Sequence, residues 1–341
     1  MDAASDAGAA LPEAPPRCSP AAMSPLRSPE REIDAALAAE LIAEQFPALG
    51  DPSSPARRID PARLSRLGEG WDNSAFLLDW VWVFRFPRRA VAAPLLEREA
   101  QFLPRLARVL PIPIPSPIWV GRATERYPWP FAGYRMVEGE TACSSVLSGE
   151  ARGALASPLA EFLAALHGWT PPTDVAALPG DEIGRLDFAK RAPLTEARLR
   201  ELITAGAIDP SLATRLIAAT ARWPRLSGKP RRAVPVHGDL YVRHLLISRT
   251  GAFAGVIDWG DLHRNDPAVD LSIAFSFLPP EARSTFHASY EARSGQIADR
   301  TWERARARAI AHAAQTLLYA IEVADAALIR EMTQALGWAL D

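Results

Sequence analysis

Hydrophobic spacing changes partway along this 341-residue chain, and the change limits what it can fold into. Up to about Gly139 the apolar residues fall in short runs bounded by Gly and Pro, over 63–67, 74–78, 81–86, 118–121 and 134–137, which is how strands read. Beyond Gly139 they recur at three and four, over 158–169, 194–205, 210–221, 280–293, 302–324 and 327–339, which is how amphipathic helices read. Two helices belong to the first part. One carries Ile33, Leu37, Leu41, Ile42 and Phe46 on a single face and stops at Pro47 and Gly50; the other spans 95–110. After it, Pro111-Ile112-Pro113-Ile114-Pro115 must be extended, because each proline bars its predecessor from the helical region. The expected fold is α+β and bilobal: a small N-terminal antiparallel sheet plus helix over 31–139, and a larger, mostly helical C-terminal lobe over 140–341. Residues 1–30 are expected to be a disordered tail, since Pro12, Pro15, Pro16, Pro20, Pro25 and Pro29 are too frequent for a helix or a central strand.

The chain is 48% hydrophobic and 23% charged, the composition of a globular protein with an ordinary core. Its formal net charge of -2 argues against a nucleic-acid partner, which would call for a basic excess. No apolar run approaches the roughly 20 residues that span a bilayer, and the N-terminus opens Met1-Asp2-Ala3-Ala4-Ser5 without an apolar segment. Only Cys18 and Cys143 are present, too few for a disulfide framework or a cysteine metal site, which fits a reducing compartment. A cytoplasmic protein is expected, with no membrane partner; monomer and dimer are both open.

The chemistry concentrates in His237-Gly238-Asp239-Leu240-Tyr241-Val242-Arg243-His244 and, shortly after, Val256-Ile257-Asp258-Trp259. Short apolar strands over 233–236, 245–248 and 252–257, with Arg249-Thr250-Gly251 as a turn, would set Asp239 and Asp258 at strand ends facing one cleft. Two carboxylates and an imidazole around one turn suit phosphoryl transfer. One acid orients and deprotonates a hydroxyl, while a second acid and a neutral ligand hold the magnesium that neutralises the phosphates. Upstream, Gly68-Glu69-Gly70-Trp71-Asp72-Asn73-Ser74 joins two strands, and its glycines would let backbone N–H groups approach phosphates. It lacks a full Gly-x-Gly-x-x-Gly, and two glycines in a hairpin are more often only turn residues. In the next strand, alternation puts Val83 and Arg85 on one face and Trp82, Phe84 and Phe86 on the other.

Taken together, His237-Gly238-Asp239-Leu240 through His244, Ile257-Asp258-Trp259 and Asp266-Pro267-Ala268-Val269-Asp270-Leu271 resemble the motif set of the aminoglycoside phosphotransferase family. That family has a protein-kinase-like fold and includes macrolide phosphotransferases and choline-kinase-like enzymes. The resemblance runs from about Arg31 to the C-terminus. It implies Asp239 as catalytic base, Asp258 as a magnesium ligand, and His244 at a position that is usually Asn and binds the second magnesium. A neutral imidazole can ligate a metal, although magnesium prefers oxygen; the other reading of His244 is a loop residue that touches no metal. Arg85 stands where such a fold keeps its phosphate-pairing lysine, and a guanidinium can fork two phosphate oxygens. Glu99 on the following helix is its implied partner, with Glu97 as the alternative. Val83 would roof the nucleotide base, Gly68, Gly70 and Ser74 would lie over the phosphates, and Met136-Val137-Glu138 would be the hinge whose backbone bonds the base.

The resemblance therefore implies a phosphotransferase that moves phosphate from ATP or GTP, with Mg2+, onto a hydroxyl of a small molecule. An aminoglycoside-like or macrolide-like acceptor and an endogenous amino alcohol or sugar derivative both fit. Asp181, Glu182, Asp187, Glu322 and Asp325 would be candidates for an acidic pocket around a polycation, but they are interspersed with arginines. Arg304, Arg306 and Arg308 are expected to be solvated or acid-paired, Asp266 an N-cap, Asp270 and His167 structural, and Asp261 open to metal, substrate or water. A pseudokinase is the competing reading, prompted by Arg85 and His244; retention of Asp239 and Asp258 speaks against it. A metal-dependent hydrolase would leave the glycine loop and Arg85 without a role.

Overall fold

Asp34 ends an extended stretch and accepts a hydrogen bond from the Leu37 amide at 2.8 Å, which starts helix α1 (Ala35–Gln45) and turns Ala38, Leu41 and Ile42 inward. The computed structural model describes residues 29–51, 57–70, 72–173 and 177–340. The tail expected over 1–30 falls almost entirely outside them.

Strands β1 (Leu64–Glu69), β2 (Asn73–Leu78) and β3 (Trp82–Pro87) form the expected antiparallel meander, with a bulge between Arg66 and Gly68. Helix α2 (Ala93–Leu106) follows, then β4 (Pro117–Gly121) and β5 (Phe131–Arg135), closing a five-stranded sheet in the order β1-β2-β3-β5-β4. Helix α2 ends short of the expected 110: Pro104 removes one amide from its last turn, and residues 107–110 follow as turns, the last closed by the Leu110 amide on the Leu106 carbonyl. Strand β5 is offset from the expected 134–137 and takes in Gly133, where a Cβ would come within 2.4 Å of the Phe84 ring. One face of the sheet packs Phe76, Phe84, Phe86 and Phe131 against α1, with the Phe86 and Phe131 rings stacked at 4.7 Å. The other face carries Leu77, Val83 and Tyr134 and looks into the cleft.

The chain then crosses to a second small sheet through β6 (Glu140–Thr141) and becomes helical: α3 (Gly149–Ala154), α4 (Ala156–Gly168), α5 (Phe188–Thr204) and α6 (Pro210–Thr220). Helix α5 starts six residues before the expected 194, because Asp187 caps it and Pro193 is tolerated inside it. Next come β7 (Val234–Val236), β8 (Leu245–Ile247), β9 (Phe253–Val256) and β10 (His263–Asn265). Strand β8 lies between β6 and β9, and β7 pairs with β10, a strand of polar residues that no apolar alternation announces. Short α7 (Ala268–Leu271) and α8 (Ile273–Ser276) lead to α9 (Arg283–Ser294), α10 (Asp299–Glu322) and α11 (Ala326–Trp338). Helix α4 packs on α9, and α10 on α5 and α11, around a core that includes Trp259, Phe162, Phe286 and Tyr290. No helix among the described residues is long and apolar enough to cross a membrane.

Candidate active site

Between the two lobes lies a cleft of about 1370 Å³, more than a single small ligand needs. Its floor is built by the turn after β7. There Gly238 adopts φ +90, and a Cβ on it would sit 2.3 Å from the Asp261 carbonyl oxygen, so only glycine fits. The turn is clamped from below. Buried Asp270 accepts from the amides of His237 at 2.7 Å and Gly238 at 3.0 Å, and His167 bridges Asp270 at 3.2 Å to the Tyr290 hydroxyl at 2.7 Å. Burial alone would raise the Asp270 carboxyl; His167 and the two amides outweigh it and hold it below its ordinary value. Arg185 clamps the same turn from the side, donating to the Gly238 carbonyl at 2.9 Å while paired with Asp181 and Asp261. Asp261, left open above, is thus a partner of Arg185. The neutral ring of His237 ties the turn to the next segment: it accepts from the Asp239 amide at 3.3 Å and donates from Nε2 to the Ile257 carbonyl at 3.0 Å. Its burial lowers its pKa and keeps it uncharged.

Asp239 and Asp258 are brought together by this frame, with His244 between them. The His244 Nδ1 lies 2.7 Å from the Asp239 carbonyl, which can only accept, so Nδ1 carries a proton and Nε2 is the ring atom that faces Asp258 Oδ2, at 3.4 Å. Two lone-pair donors at that separation suit adjacent positions around one small cation. Asp258 itself has φ +62, a sparsely populated conformation that turns its half-exposed carboxylate into the cleft. Among the described residues no group of three or more His, Cys, Asp or Glu closes round a metal by itself. The donor set fits magnesium, which takes few protein ligands and fills its remaining positions with phosphate oxygens and water.

Opposite, Arg85 donates to both oxygens of Glu99, at 2.9 and 3.0 Å, and to Asp258 at 3.1 Å. Glu97 is not its partner. Burial pushes the Glu99 carboxyl up to about 7 against the pull of Arg85. Burial works against the Arg85 charge too, but Glu99 and Asp258 outweigh it and keep the guanidinium protonated. Gly68, Gly70, Val83, Met136 and Val137 line the same side of the cleft. Two expected contacts need correction. Ser74 is buried on the Phe76 face of the sheet while Ala75 lines the cleft, because neighbours along a strand point opposite ways, so only the Ser74 backbone is oriented by the loop. The amide of Met136 is already bonded to the Val81 carbonyl at 2.8 Å, and the Glu138 side chain is exposed outside the cleft lining.

His312, which the sequence did not single out, completes the floor together with Arg308. On α10, His312 Nε2 lies 3.3 Å from Asp239 Oδ1, and Arg308, one turn earlier on the same face, also lines the cleft. Arg308, expected to be solvated or acid-paired, is half-buried in the cleft wall without a salt bridge among the described residues, whereas Arg304 pairs with Asp266 and Arg306 lies over the Phe275 ring. Asp266 also caps α7 by accepting from the Ala268 amide at 2.9 Å. Burial would raise the Asp239 carboxyl; the hydrogen bond from His312 and the proximity of His244 and Arg308 reverse this and keep it ionised, well below the usual carboxylate range. Of the acids expected around a polycation, Asp181 is committed to Arg185, Asp187 to the α5 cap and Asp325 to Arg243, and only Glu322 and Asp325 line the cleft.

A sequence profile of the phosphotransferase enzyme family, APH, matches residues 63–308, which contain every one of the cleft residues named above except His312. Among solved structures, the GDP complex of wild-type aminoglycoside 2'-phosphotransferase-IIIa is similar at 25% identity and a TM-score of 0.59, over 88% of this chain and 96% of that one. The GDP and kanamycin complex of APH(2")-IIia is similar at 24% identity and a TM-score of 0.60, over 88% of this chain and 97% of that one. Macrolide 2'-phosphotransferase type I is similar at 22% identity and a TM-score of 0.55, over 91% of this chain and 98% of that one. No curated protein sequence matches. These likenesses show a bilobal, protein-kinase-like fold. With the profile matched over most of its length, the chain belongs to the aminoglycoside phosphotransferase family of phosphotransferase enzymes.

Proposed function

We propose that the enzyme transfers the terminal phosphoryl group of ATP or GTP, directly and in line, to a hydroxyl of a small molecule. The observation that carries this is the convergence of Asp239, Asp258 and the Arg85–Glu99 pair on one cleft with room for two substrates. Relatives bound to GDP support a purine nucleotide as donor. Val83 and Met136 offer it an apolar ceiling, and Gly68 and Gly70 a backbone that phosphates can approach.

In the transfer, the acceptor O–P bond forms as the bond to the bridging oxygen breaks, and a nucleoside diphosphate leaves. Asp239 orients the hydroxyl and takes its proton. A carboxylate held so far towards its ionised form is a weak base, which is adequate where the nucleophile's proton leaves late in a loose transition state. Arg85, fixed by Glu99, would fork phosphate oxygens. Magnesium, when bound, neutralises phosphate charge, and Asp258 with His244 would hold it. The test is the release of labelled nucleoside diphosphate with and without acceptor: stoichiometric, acceptor-dependent phosphorylated product is expected, and nucleotide hydrolysis indifferent to every acceptor would overturn the reading.

A further inference from the structure

Asp239 presents its two oxygens to two sides of the cleft. Oδ2 lies nearer His244, on the side of Asp258 and Arg85, whereas Oδ1 meets His312 on α10. The second side is where an acceptor hydroxyl must approach, and its walls are basic. Arg191 and Arg198, two turns apart on α5, and Arg308 on α10 line it, with Arg191 within electrostatic reach of both others. Among the described residues no carboxylate pairs with any of the three. Arg191 is anchored by the carbonyls of Gly184 at 3.0 Å and Ile183 at 2.8 Å, which position its charge without neutralising it. Arg308 Nε and Arg198 Nη1 are buried and have no hydrogen-bond partner. Glu201 is the acid beside Arg198 in the cleft wall, and Asp239, then Asp261, are the acids nearest in effect to Arg308. His312 adds no charge, since burial and Arg308 lower its pKa.

On the reading that this cleft is a kinase site, we infer that the acceptor is a hydroxyl compound carrying a carboxylate or phosphate of its own, bound by Arg191, Arg198 and Arg308. Buried guanidinium donors without partners are costly unless a ligand supplies the missing acceptors, and the guanidinium fork matches the oxygens of either anion. A polycation would meet three like charges here, with Glu201 the acid beside them on α5. The anion would seat between α5 and α10, leaving the hydroxyl at Asp239 Oδ1.

The experiment uses the full chain with ATP and GTP and four acceptors: a neutral sugar, the matching sugar acid, the matching sugar phosphate, and kanamycin. At least one of the anionic pair is expected to have a kcat/KM at least about tenfold above the neutral sugar and kanamycin; which one wins separates carboxylate from phosphate. Arg308→Gln and Arg198→Gln should raise KM for that acceptor about 10–100-fold and erase the preference, while Arg→Lys at either position restores part of it. Added salt should weaken the preference in parallel. Equal or better use of kanamycin or the neutral sugar overturns the inference and leaves the kinase reading intact. If nothing is phosphorylated, the kinase reading fails and equilibrium binding decides the anion site: a rise in Tm with sugar acid or sugar phosphate, absent in both Gln variants, upholds it, and no rise overturns it.

Discussion

At the scale of single residues, the two acids and the imidazole between them do separable work. Asp239→Asn keeps the shape of the carboxylate and removes the proton acceptor, so kcat should fall by a factor of about 10²–10⁴ with nucleotide affinity little changed. Steady-state kinetics with a parallel nucleotide titration checks it, and turnover near the parental rate would remove Asp239 as the base. His244 tests the metal assignment. Its Nδ1 is tied to the Asp239 carbonyl and its Nε2 is aimed at Asp258, so an amide oxygen in the same place can substitute for it but a methyl cannot. His244→Asn should retain substantial activity, whereas His244→Ala should lose most of it and need more magnesium; equal behaviour of both variants would make His244 a packing residue.

Elements hold the catalytic turn by contacts whose loss can be sized. Asp270 reaches from the start of the α7 turn to two amides of the turn after β7. Asp270→Asn swaps one acceptor oxygen for a donor, which leaves a buried amide unsatisfied and should cost about 1–3 kcal/mol at neutral pH. The pH dependence has a definite sign. Because the folded carboxyl lies below its ordinary value, its contribution is present above about pH 4 and disappears as pH falls through the folded value. Melting temperatures of parent and variant should therefore converge below about pH 4 and diverge above it. In the N-terminal sheet, Gly133→Ala would drive a Cβ to 2.4 Å from the Phe84 ring, inside a packed aromatic cluster. A loss of about 1–3 kcal/mol is expected by chemical denaturation, from overpacking and not from backbone conformation.

For the whole molecule, the Pro- and Ala-rich segment ahead of residue 29 has too little apolar surface to offset its ordering entropy, so a chain lacking residues 1–28 should melt and turn over like the parent. Extending the deletion through Arg31 should lower Tm, because the amides of Glu30 and Arg31 bond the Arg88 carbonyl and the Glu30 carboxylate accepts from Ala90. What sequence alone determined is local and periodic. Alternation in β3 put Val83 and Arg85 on one face, the spacing of glycines and apolar runs set Asp239 and Asp258 at strand ends, and helical spacing placed the main helices to within a few residues except for the start of α5. Those features follow from backbone period and turn chemistry, which neighbouring residues encode. Only the tertiary structure decided the rest. Ser74 and Ala75 exchange faces with a one-residue shift of reading, and Arg304, Arg306 and Arg308 are equally good helix residues until α10 lies against α5 and α7. The clamps of Asp270 on His237 and of Arg185 on Gly238 join positions 33 and 53 residues apart. No local pattern carries such pairings, because they exist only once the packed core has brought distant charges to one point and burial has made leaving them unpaired costly.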